Sequence, residues 1–425
     1  MSDTIFALSS GAPPAAIGVI RISGPDAGKA LVSLAGREIA PRRASLAQLH
    51  GADGALLDEA LVLWFPGPET ATGEDLAELH CHGGRAVIAA VERELSAHNG
   101  LRRAEPGEFT RRAFANGRID LAEAEGLADL LSAETELQRS AAIAMAGGSL
   151  SREVEGWRMR LLQLAAEVEA VLDFADEDDV GGLAGDFGMR LAALSAELES
   201  WLVRPRSERL GEGFRVVLAG PPNAGKSTLF NALIESEAAI TSPIAGTTRD
   251  VIERSVAIGG VPFTFVDTAG LRDEGSDEIE AIGVGRAREQ LEFADLVLWL
   301  GPESEGPDGC WEIEAQIDKV SHPVKSAPDW RVSAATGENL PELKLALVER
   351  ARDALPKPGE AALNTRQHGL IAEAKAALRE AGEIADPLIL AECLRRARLA
   401  FDRLVGRATT EDMLDALFGR FCIGK

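Results

Sequence analysis

Gly220-Pro-Pro-Asn-Ala-Gly225-Lys226-Ser227 sets a glycine-rich loop, a lysine and a hydroxyl at the spacing that phosphate binding requires. The backbone N–H groups of Asn223, Ala224, Gly225, Lys226, Ser227 and Thr228 would cradle α- and β-phosphates at a helix N-terminus, where the helix dipole favours negative charge. Lys226 would reach the β/γ oxygens, and the Ser227 hydroxyl would ligate Mg2+. Two further segments follow in the order of a nucleotide switch. Gly246-Thr247-Thr248-Arg249-Asp250 offers a threonine, assigned as Thr248, that would ligate Mg2+ and sense the γ-phosphate. Asp267-Thr268-Ala269-Gly270 follows an apolar strand; Asp267 would hold Mg2+ through water, and the Gly270 N–H would touch the γ-phosphate. The implied chemistry is in-line attack of water on that phosphate.

Two parts of such a site depart from expectation. No glutamine follows Gly270, where Leu271 and Arg272 stand instead, so the water-positioning residue must come from elsewhere, with Glu278 or Glu280 as the candidate acids. The base-reading Asn-Lys-x-Asp is also absent. Ala315-Gln316-Ile317-Asp318 is its nearest remnant; Asp318 can accept from guanine N1 and N2, whereas the asparagine that helps tie this loop is lost. Ser333-Ala334-Ala335 reads as the last base-side segment. GTP is expected over ATP.

The elements that must hold these groups follow from hydrophobic periodicity. The apolar run Val216–Ala219 reads as a buried strand, and Leu229, Phe230, Ala232 and Leu233 continue at helical spacing. Strands at Arg254–Ile258, Phe263–Val266, Leu296–Leu300 and Trp330–Ser333 alternate with helices, the rhythm of a doubly wound sheet over 213–353. Residues 1–118 predict a small α/β domain with strands Thr4–Leu8, Ala16–Ile22, Ala60–Phe65 and Leu76–His82, and helices Ala27–Ala35 and Arg85–Leu95. Arg21 and Glu78 are charges inside those strands, either solvated on an open face or forming a polar pocket. His80-Cys81-His82 has donors at i and i+2 without a further cluster, a weak metal signal. Residues 119–212 turn helical. One helix led by Leu121, Leu127, Leu130 and Leu131 runs to Gly147-Gly148. Leu150, Val154, Trp157, Leu161, Leu164, Val168 and Val171 then form a seam spaced 4-3-4-3, ahead of the acidic stretch to Asp179. Leu191, Leu194, Leu198 and Trp201 mark another helix, and 205–213 reads as a linker. Residues 354–425 are helical again, with Glu411–Phe418 behind a Thr410 cap. The two helical blocks are expected to pack as one bundle around an inserted nucleotide domain.

Bulk properties narrow the class. The chain has 425 residues, 46% hydrophobic and 26% charged, which suits a multidomain globular protein. No apolar run is long enough to cross a membrane, and the opening residues lack a secretory leader's pattern. Cys81, Cys310, Cys393 and Cys422 are scattered without paired spacing, so a reducing cytoplasm is expected. The net charge of −24 speaks against a dedicated nucleic-acid binder. Any such contact needs a partner or a local patch; the candidates are Arg102, Arg103, Arg111, Arg112 and Arg118, and Arg395, Arg396, Arg398, Arg403 and Arg407, each equally readable as a solvated helix face.

Asn223, Gly246–Asp250, Asp267–Arg272 and the terminal Phe421-Cys422-Ile423-Gly424-Lys425 together resemble the tRNA modification GTPases of the MnmE/TrmE family. Arg21-Ile-Ser-Gly24, Thr72-Gly-Glu-Asp75, His82-Gly-Gly84, Pro106-Gly-Glu-Phe109 and Arg118–Ala122 extend the resemblance over essentially the whole chain. It implies an N-terminal α/β folate-binding domain that dimerises, a discontinuous helical bundle and an inserted Ras-like P-loop GTPase domain. It implies a K+-activated GTPase, with Asn223, Ser242, Ile244 and Thr247 at the cation and Ser242, Pro243, Ile244, Ala245 and Gly246 among the GTP contacts. Such a cation would take the place of an arginine finger. Glu280, just before Ala-Ile-Gly283, would position the water. Arg21, Glu78, Arg118 and Lys425 match the folate pocket, although Arg118 stands where lysine is common and Ala71 where an aromatic is common. Cys422 matches a required tail cysteine; its other reading is a small buried apolar residue.

The resemblance further implies that GTP hydrolysis is coupled to building a (carboxymethyl)aminomethyl group at C5 of the wobble uridine of certain tRNAs. A 5-formyl- or methylene-tetrahydrofolate would supply the carbon, and an MnmG/GidA-type partner using FAD and NADH the redox chemistry. The expected assembly is a cytoplasmic homodimer, without a membrane. Two alternatives remain at this stage: a ribosome-assembly GTPase, and a folate-responsive scaffold with a weak GTPase.

Overall fold

The computed structural model describes residues 3–173, 183–235, 237–240, 252–268, 290–408 and 410–424. The chain divides into two compact units: Met1–Ala128 with Phe401–Lys425, and Asp129–Ala400.

The first unit begins with β1 (Thr4–Leu8), β2 (Ile17–Ser23), α1 (Ala27–Ala35), β3 (Ser45–His50), β4 (Leu56–Phe65), β5 (Leu76–His82), α2 (Arg85–Ala97), β6 (Leu101–Arg103), α3 (Glu108–Ala115) and α4 (Leu121–Ser132). The six strands form one sheet in the order β3-β4-β5-β2-β1-β6, and only the β1–β6 pair is parallel. Alternation along the strands gives the sheet two faces. Phe6, Ile20, Ile22, Val62 and Leu79 pack with Leu31 and Leu34 of α1 and Val91 and Leu95 of α2. Ile5 and Ala7, of the opposite parity, pack with Phe109 of α3. Arg21 is in register with Ala7 on one side and with Glu78 on the other, so both charges lie on this second face.

The second unit holds α5 (Glu136–Ala146), α6 (Ser149–Asp173), α7 (Phe187–Leu202), α8 (Glu208–Glu212), β7 (Phe214–Ala219), α9 (Lys226–Ile234), β8 (Ala238–Ala239), β9 (Ile252–Ile258), β10 (Val261–Asp267), β11 (Leu296–Trp299), β12 (Trp311–Ala315), β13 (Trp330–Val332), α10 (Leu340–Ala354), α11 (Thr365–Glu383) and α12 (Pro387–Leu404). Its sheet runs β13-β12-β11-β7-β10-β9-β8. The five strands from β13 to β10 are parallel, and β8 and β9 are antiparallel additions at one edge. Val216, Leu218, Phe263, Phe265 and Leu298 bury the sheet against Leu229 and Leu233 of α9 and Leu343 and Leu347 of α10. The α6 seam is buried from Leu150 through Val168, and Trp157 meets Trp201 of α7 edge-on at 5.7 Å. Helix α11 lies along α7, where Lys375 pairs with Glu199. Helix α13 (Glu411–Phe418) then returns to the first unit.

Several readings change. The single helix expected from Leu121 to Gly147 is two helices, because Thr135 and Gln138 form a capping box that starts α5. Strands β3, β6 and β12 and helix α8, within the expected linker, are additions. Thr410 occupies the N-cap position of α13, but its side chain makes no capping bond. The acidic stretch beyond Asp173 lies outside the described residues.

Candidate functional site

The nucleotide-type residues gather at the carboxyl ends of β7, β10 and β12, where open α/β sheets place their ligands. Strand β7 ends at Ala219 and feeds the glycine loop, and α9 opens at Lys226 behind Gly225, which has no side chain to cap it, so the positive end of the helix faces the loop. The Lys226 ammonium lies across the loop, donating to the Gly220 and Pro221 carbonyls at 2.9 and 2.8 Å. Strand β10 pairs with β7 in the register Asp267↔Leu218. That pairing presents the buried Asp267 carboxylate to α9, where Oδ2 accepts from Ser227 Oγ at 2.5 Å. Thr268 Oγ1 donates to the Leu218 carbonyl at 2.8 Å and fastens the two strand ends. Ser227 and Asp267 therefore form a hard oxygen donor set of the kind Mg2+ takes.

The base side is built by β12 and β13, parallel with Ala315 opposite Val332. Gln316–Asp318 and Ser333–Ala335 therefore leave the sheet side by side. Asp318 Oδ1 accepts from the buried Ser333 hydroxyl at 2.7 Å, and this bond holds the carboxyl below its usual range. Ser333 Oγ also accepts from the Thr336 N–H at 3.1 Å. The asparagine of the usual motif is absent, yet the loop is tied all the same: Gln316 Nε2 donates to the Asn223 carbonyl at 3.1 Å. Ser242, Pro243, Ile244, Ala245, Gly246, Thr247, Thr248, Ala269, Gly270, Glu278, Glu280 and Lys425 lie outside the described residues.

In the first unit, Arg21 and Glu78 meet: Arg21 Nη2 donates to Glu78 Oε1 at 2.9 Å, and the guanidinium stands 5.8 Å from the Phe109 ring centroid. Glu78 Oε2 lies 3.3 Å from His80 Nε2. Arg118 does not join this pair; it is exposed beside Gly73 and Asn116. His80 and His82 point away from Cys81, which is buried in the core with its thiol pushed up to about 12 by that burial and by Asp58.

Sequence reasoning missed the network beneath this pair. Arg112, with a side chain 0% exposed, donates to Asp3, Glu74 and Glu108, each at 3.0 Å. Arg102 adds bonds to Asp3 at 2.6 Å and Glu108 at 2.5 Å. Ser23 links to Thr72 at 2.8 Å and to Glu74 at 2.9 Å. Burial alone would raise the Glu108 carboxyl, but bonds from Arg102, the Glu105 N–H and Arg112 hold it below its usual range. The signal was present: Ser23, Thr72, Glu74 and Glu108 all sit in segments that carried the family resemblance.

The first basic patch is corrected by the same contacts. Arg102 and Arg112 belong to this network, Arg103 pairs with Glu92, and Arg111 pairs with Glu411 and Asp415. Of that patch, Arg118 keeps an exposed side chain without such a pairing among the described residues. In the second patch Arg395 pairs with Glu392 and Arg396 with Glu380.

Helix α13 packs on α3, with Phe114 and Phe418 ring centroids 6.2 Å apart. A cleft of about 430 Å3 lies between them, lined by Arg102, Glu108, Arg111 and Asp415 together with Pro106 and Phe418. The chain beyond α13 is seated: Phe421 is buried, Ile423 bridges to Pro106, and Gly424 lies against Leu8. A Cβ on Gly107 would stand 2.2 Å from the Phe418 carbonyl oxygen, and one on Gly424 would stand 2.2 Å from the Leu8 carbonyl oxygen. Both residues also have left-handed φ, 69° and 95°. Cys422 is exposed between these anchors, which removes its reading as a small buried apolar residue.

Comparison with known proteins agrees along the whole chain. The model of the GTP-binding protein TrmE N-terminus matches residues 4–118, and the model of the MnmE helical domain matches residues 121–422. A protein of Erythrobacter litoralis named tRNA modification GTPase MnmE is 66% identical over 423 residues, covering 100% of each chain. Its namesake in Novosphingobium aromaticivorans is 64% identical over 439 residues, again covering 100% of each chain. That of Zymomonas mobilis is 52% identical over 433 residues, covering 99% of this chain and 100% of its own. With models matching nearly all of its length and relatives this close end to end, the chain belongs to the MnmE family.

Proposed function

We propose that this chain is a GTPase acting in tRNA modification, as the names of its relatives say of them. The observation that carries the proposal is the convergence of Lys226, Ser227, Asp267 and the Asp318–Ser333 pair on one end of one sheet. Lys226 exchanges the Gly220 and Pro221 carbonyls for phosphate oxygens. Asp318 offers its carboxylate to the N1–H and N2–H groups of guanine. Ser227 and Thr248, with Asp267 through water, would hold Mg2+, which would supply charge neutralisation at the phosphates. Glu280 orients the attacking water.

The finer reading rests on the family. Asn223, with Ser242, Ile244 and Thr247, would hold K+ near the β/γ bridge. Arg21, Glu78, Arg118 and Lys425 would receive a 5-formyl- or methylene-tetrahydrofolate, and Cys422 serves in the tail beside that pocket. The partners are tRNA, a second copy of the chain joined through residues 1–118, and a flavoprotein of the MnmG/GidA type that brings FAD and NADH. The product is a (carboxymethyl)aminomethyl group at C5 of the wobble uridine, made in the cytoplasm. The domain limits that go with this reading are 1–118, 119–212, 213–353 and 354–425.

GTP turnover of the purified chain in KCl and in NaCl at equal ionic strength tests the proposal. Turnover much faster in KCl is expected. Equal rates would remove the K+ role and keep the GTPase; no turnover in either salt would overturn the GTPase reading.

A further inference from the structure

We propose that Gln316 is a positioning residue of the nucleotide site: it clamps the base-side loop to the phosphate loop, replacing the tie that the absent asparagine and lysine would make. The inference rests on reading the 220–227, 316–318 and 333–335 loops as a guanine-nucleotide site.

Gln316 follows the last residue of β12 and has φ of 60°, a left-handed conformation that a residue with a Cβ adopts rarely. The backbone turn folds its side chain back over the phosphate loop. There Nε2 donates to the carbonyl of Asn223, which is itself left-handed with φ of 61°. Two non-glycine residues in rare conformations therefore face each other across one hydrogen bond. Such outliers persist where the surroundings over-determine them, and they cluster at ligand sites.

The amide has no freedom to turn over. Its Oε1 accepts from the Lys319 ammonium at 2.8 Å, so the amino end is left for the Asn223 carbonyl. The amide also lies against bare backbone: a Cβ on Gly225 would stand 2.8 Å from Gln316 Nε2 and 3.3 Å from Cγ. Two residues on, Asp318 is held from the other side by Ser333. The reach from the phosphate loop to the base-reading carboxylate is thus set by two side-chain bonds, Gln316 to Asn223 and Asp318 to Ser333. Holding both ends of a site at a fixed reach before the ligand arrives lowers the ordering cost of binding. Gln316 is assigned to affinity and not to the chemical step, because its bonds go to the Asn223 main-chain carbonyl and to Lys319, and not to the Asn223 side chain that the proposed function gives to the cation.

The test is titration of the full chain with methylanthraniloyl-GDP, with GTP turnover measured alongside, for the unsubstituted protein and for Gln316→Glu, Gln316→Lys and Gln316→Ala. Gln316→Glu keeps the side chain's shape but turns the donor towards Asn223 into an acceptor. It is expected to weaken binding about fivefold or more, as loss of one exposed hydrogen bond implies. Gln316→Ala is expected to match it. Gln316→Lys restores a donor and is expected to bind within about threefold of the unsubstituted chain. In all three, kcat at saturating GTP stays unchanged while KM follows affinity. Wild-type affinity in Gln316→Glu, equal losses in Gln316→Glu and Gln316→Lys, or a fall in kcat with KM unmoved would each overturn the clamp. Failure of the unsubstituted chain to bind methylanthraniloyl-GDP would instead overturn the site reading beneath it.

Discussion

Ser227 Oγ donates to Asp267 Oδ2 across 2.5 Å, joining the first turn of α9 to the carboxyl end of β10. The two oxygens stand where one divalent cation can engage both. Ser227→Ala removes the hydroxyl and leaves Asp267 in place. Loss of several kcal/mol of charge stabilisation at the phosphates corresponds to a fall in kcat/KM of about 100-fold or more. GTP turnover measured across a MgCl2 series checks this, and the midpoint of that series is expected to move to higher Mg2+.

His322 gives the base side a pH dependence. Its Nδ1 meets the Lys319 carbonyl at 2.8 Å and its Nε2 meets Glu314 Oε1 at 2.9 Å. Both partners accept, and this arrangement favours the protonated ring, in which both nitrogens donate. The Lys319 carbonyl first, then Glu314, raise the histidine above its ordinary value of 6.5. Arg331 and the Lys325 N–H, which also bond Glu314, and the nearby Asp318 face the same cluster. A raised native value means that the stabilisation is complete below 6.5 and fades as pH rises through that raised value. Binding of methylanthraniloyl-GDP is therefore expected to weaken with rising pH over that window, and His322→Gln is expected to flatten the profile. Identical profiles in the two proteins would remove His322 from the effect.

Arg112 is expected to be the most costly single loss in the first unit. Removing it leaves Asp3 and Glu108 with Arg102 as their one cation among the described residues, and Glu74 with Ser23, around a buried gap. Breaking a buried ion pair from one side costs about 3–5 kcal/mol, so Arg112→Ala should lower the thermal midpoint of that unit markedly. The depressed Glu108 carboxyl adds a pH test: its contribution is present above the ordinary 4.5 and is lost as pH falls through the lower native value. The acid limb of the stability profile should shrink in Arg112→Ala.

Gly107→Ala should undo the seating of α13. The new methyl meets the Phe418 carbonyl oxygen, and the left-handed φ adds strain of about 1–3 kcal/mol. Trypsin cleavage after the exposed Arg420 is expected to accelerate about tenfold or more, since each 1.4 kcal/mol changes an opening equilibrium tenfold. An unchanged cleavage rate would show that the tail stays docked without this contact.

The phosphate loop and the α6 seam were legible because each is a local pattern whose spacing is its structure. Lys226 and Ser227 are adjacent in sequence, and Leu150 to Val168 repeat at a helical period. Arg112 was not legible in that way. An arginine among arginines on a short helix reads as a basic surface, and its burial depends on Asp3 and Glu74, which only the sheet brings near. Strand β12 was missed because Trp311–Ala315 alternates apolar and acidic residues, with Glu312 and Glu314 held by Lys325, Arg331 and His322. Without that strand the placement of Gln316 beside Asn223 was invisible, since 93 residues separate them. The break at Thr135 was missed because leucine periodicity on both sides masked a cap that only its bonds to Gln138 reveal.

The first unit is assembled from two stretches, Met1–Ala128 and Phe401–Lys425. During synthesis its sheet and α3 leave the ribosome long before α13 exists, because Asp129–Ala400 must be translated in between. At ~5–20 residues per second that interval lasts on the order of tens of seconds. Throughout it Phe114 lacks Phe418, Arg111 lacks Asp415, and the Leu8 carbonyl lacks Gly424. A nascent chain of this protein therefore carries an unfinished apolar seam for most of its birth, and a stalled or truncated transcript would release it in that state for proteases and chaperones to sort.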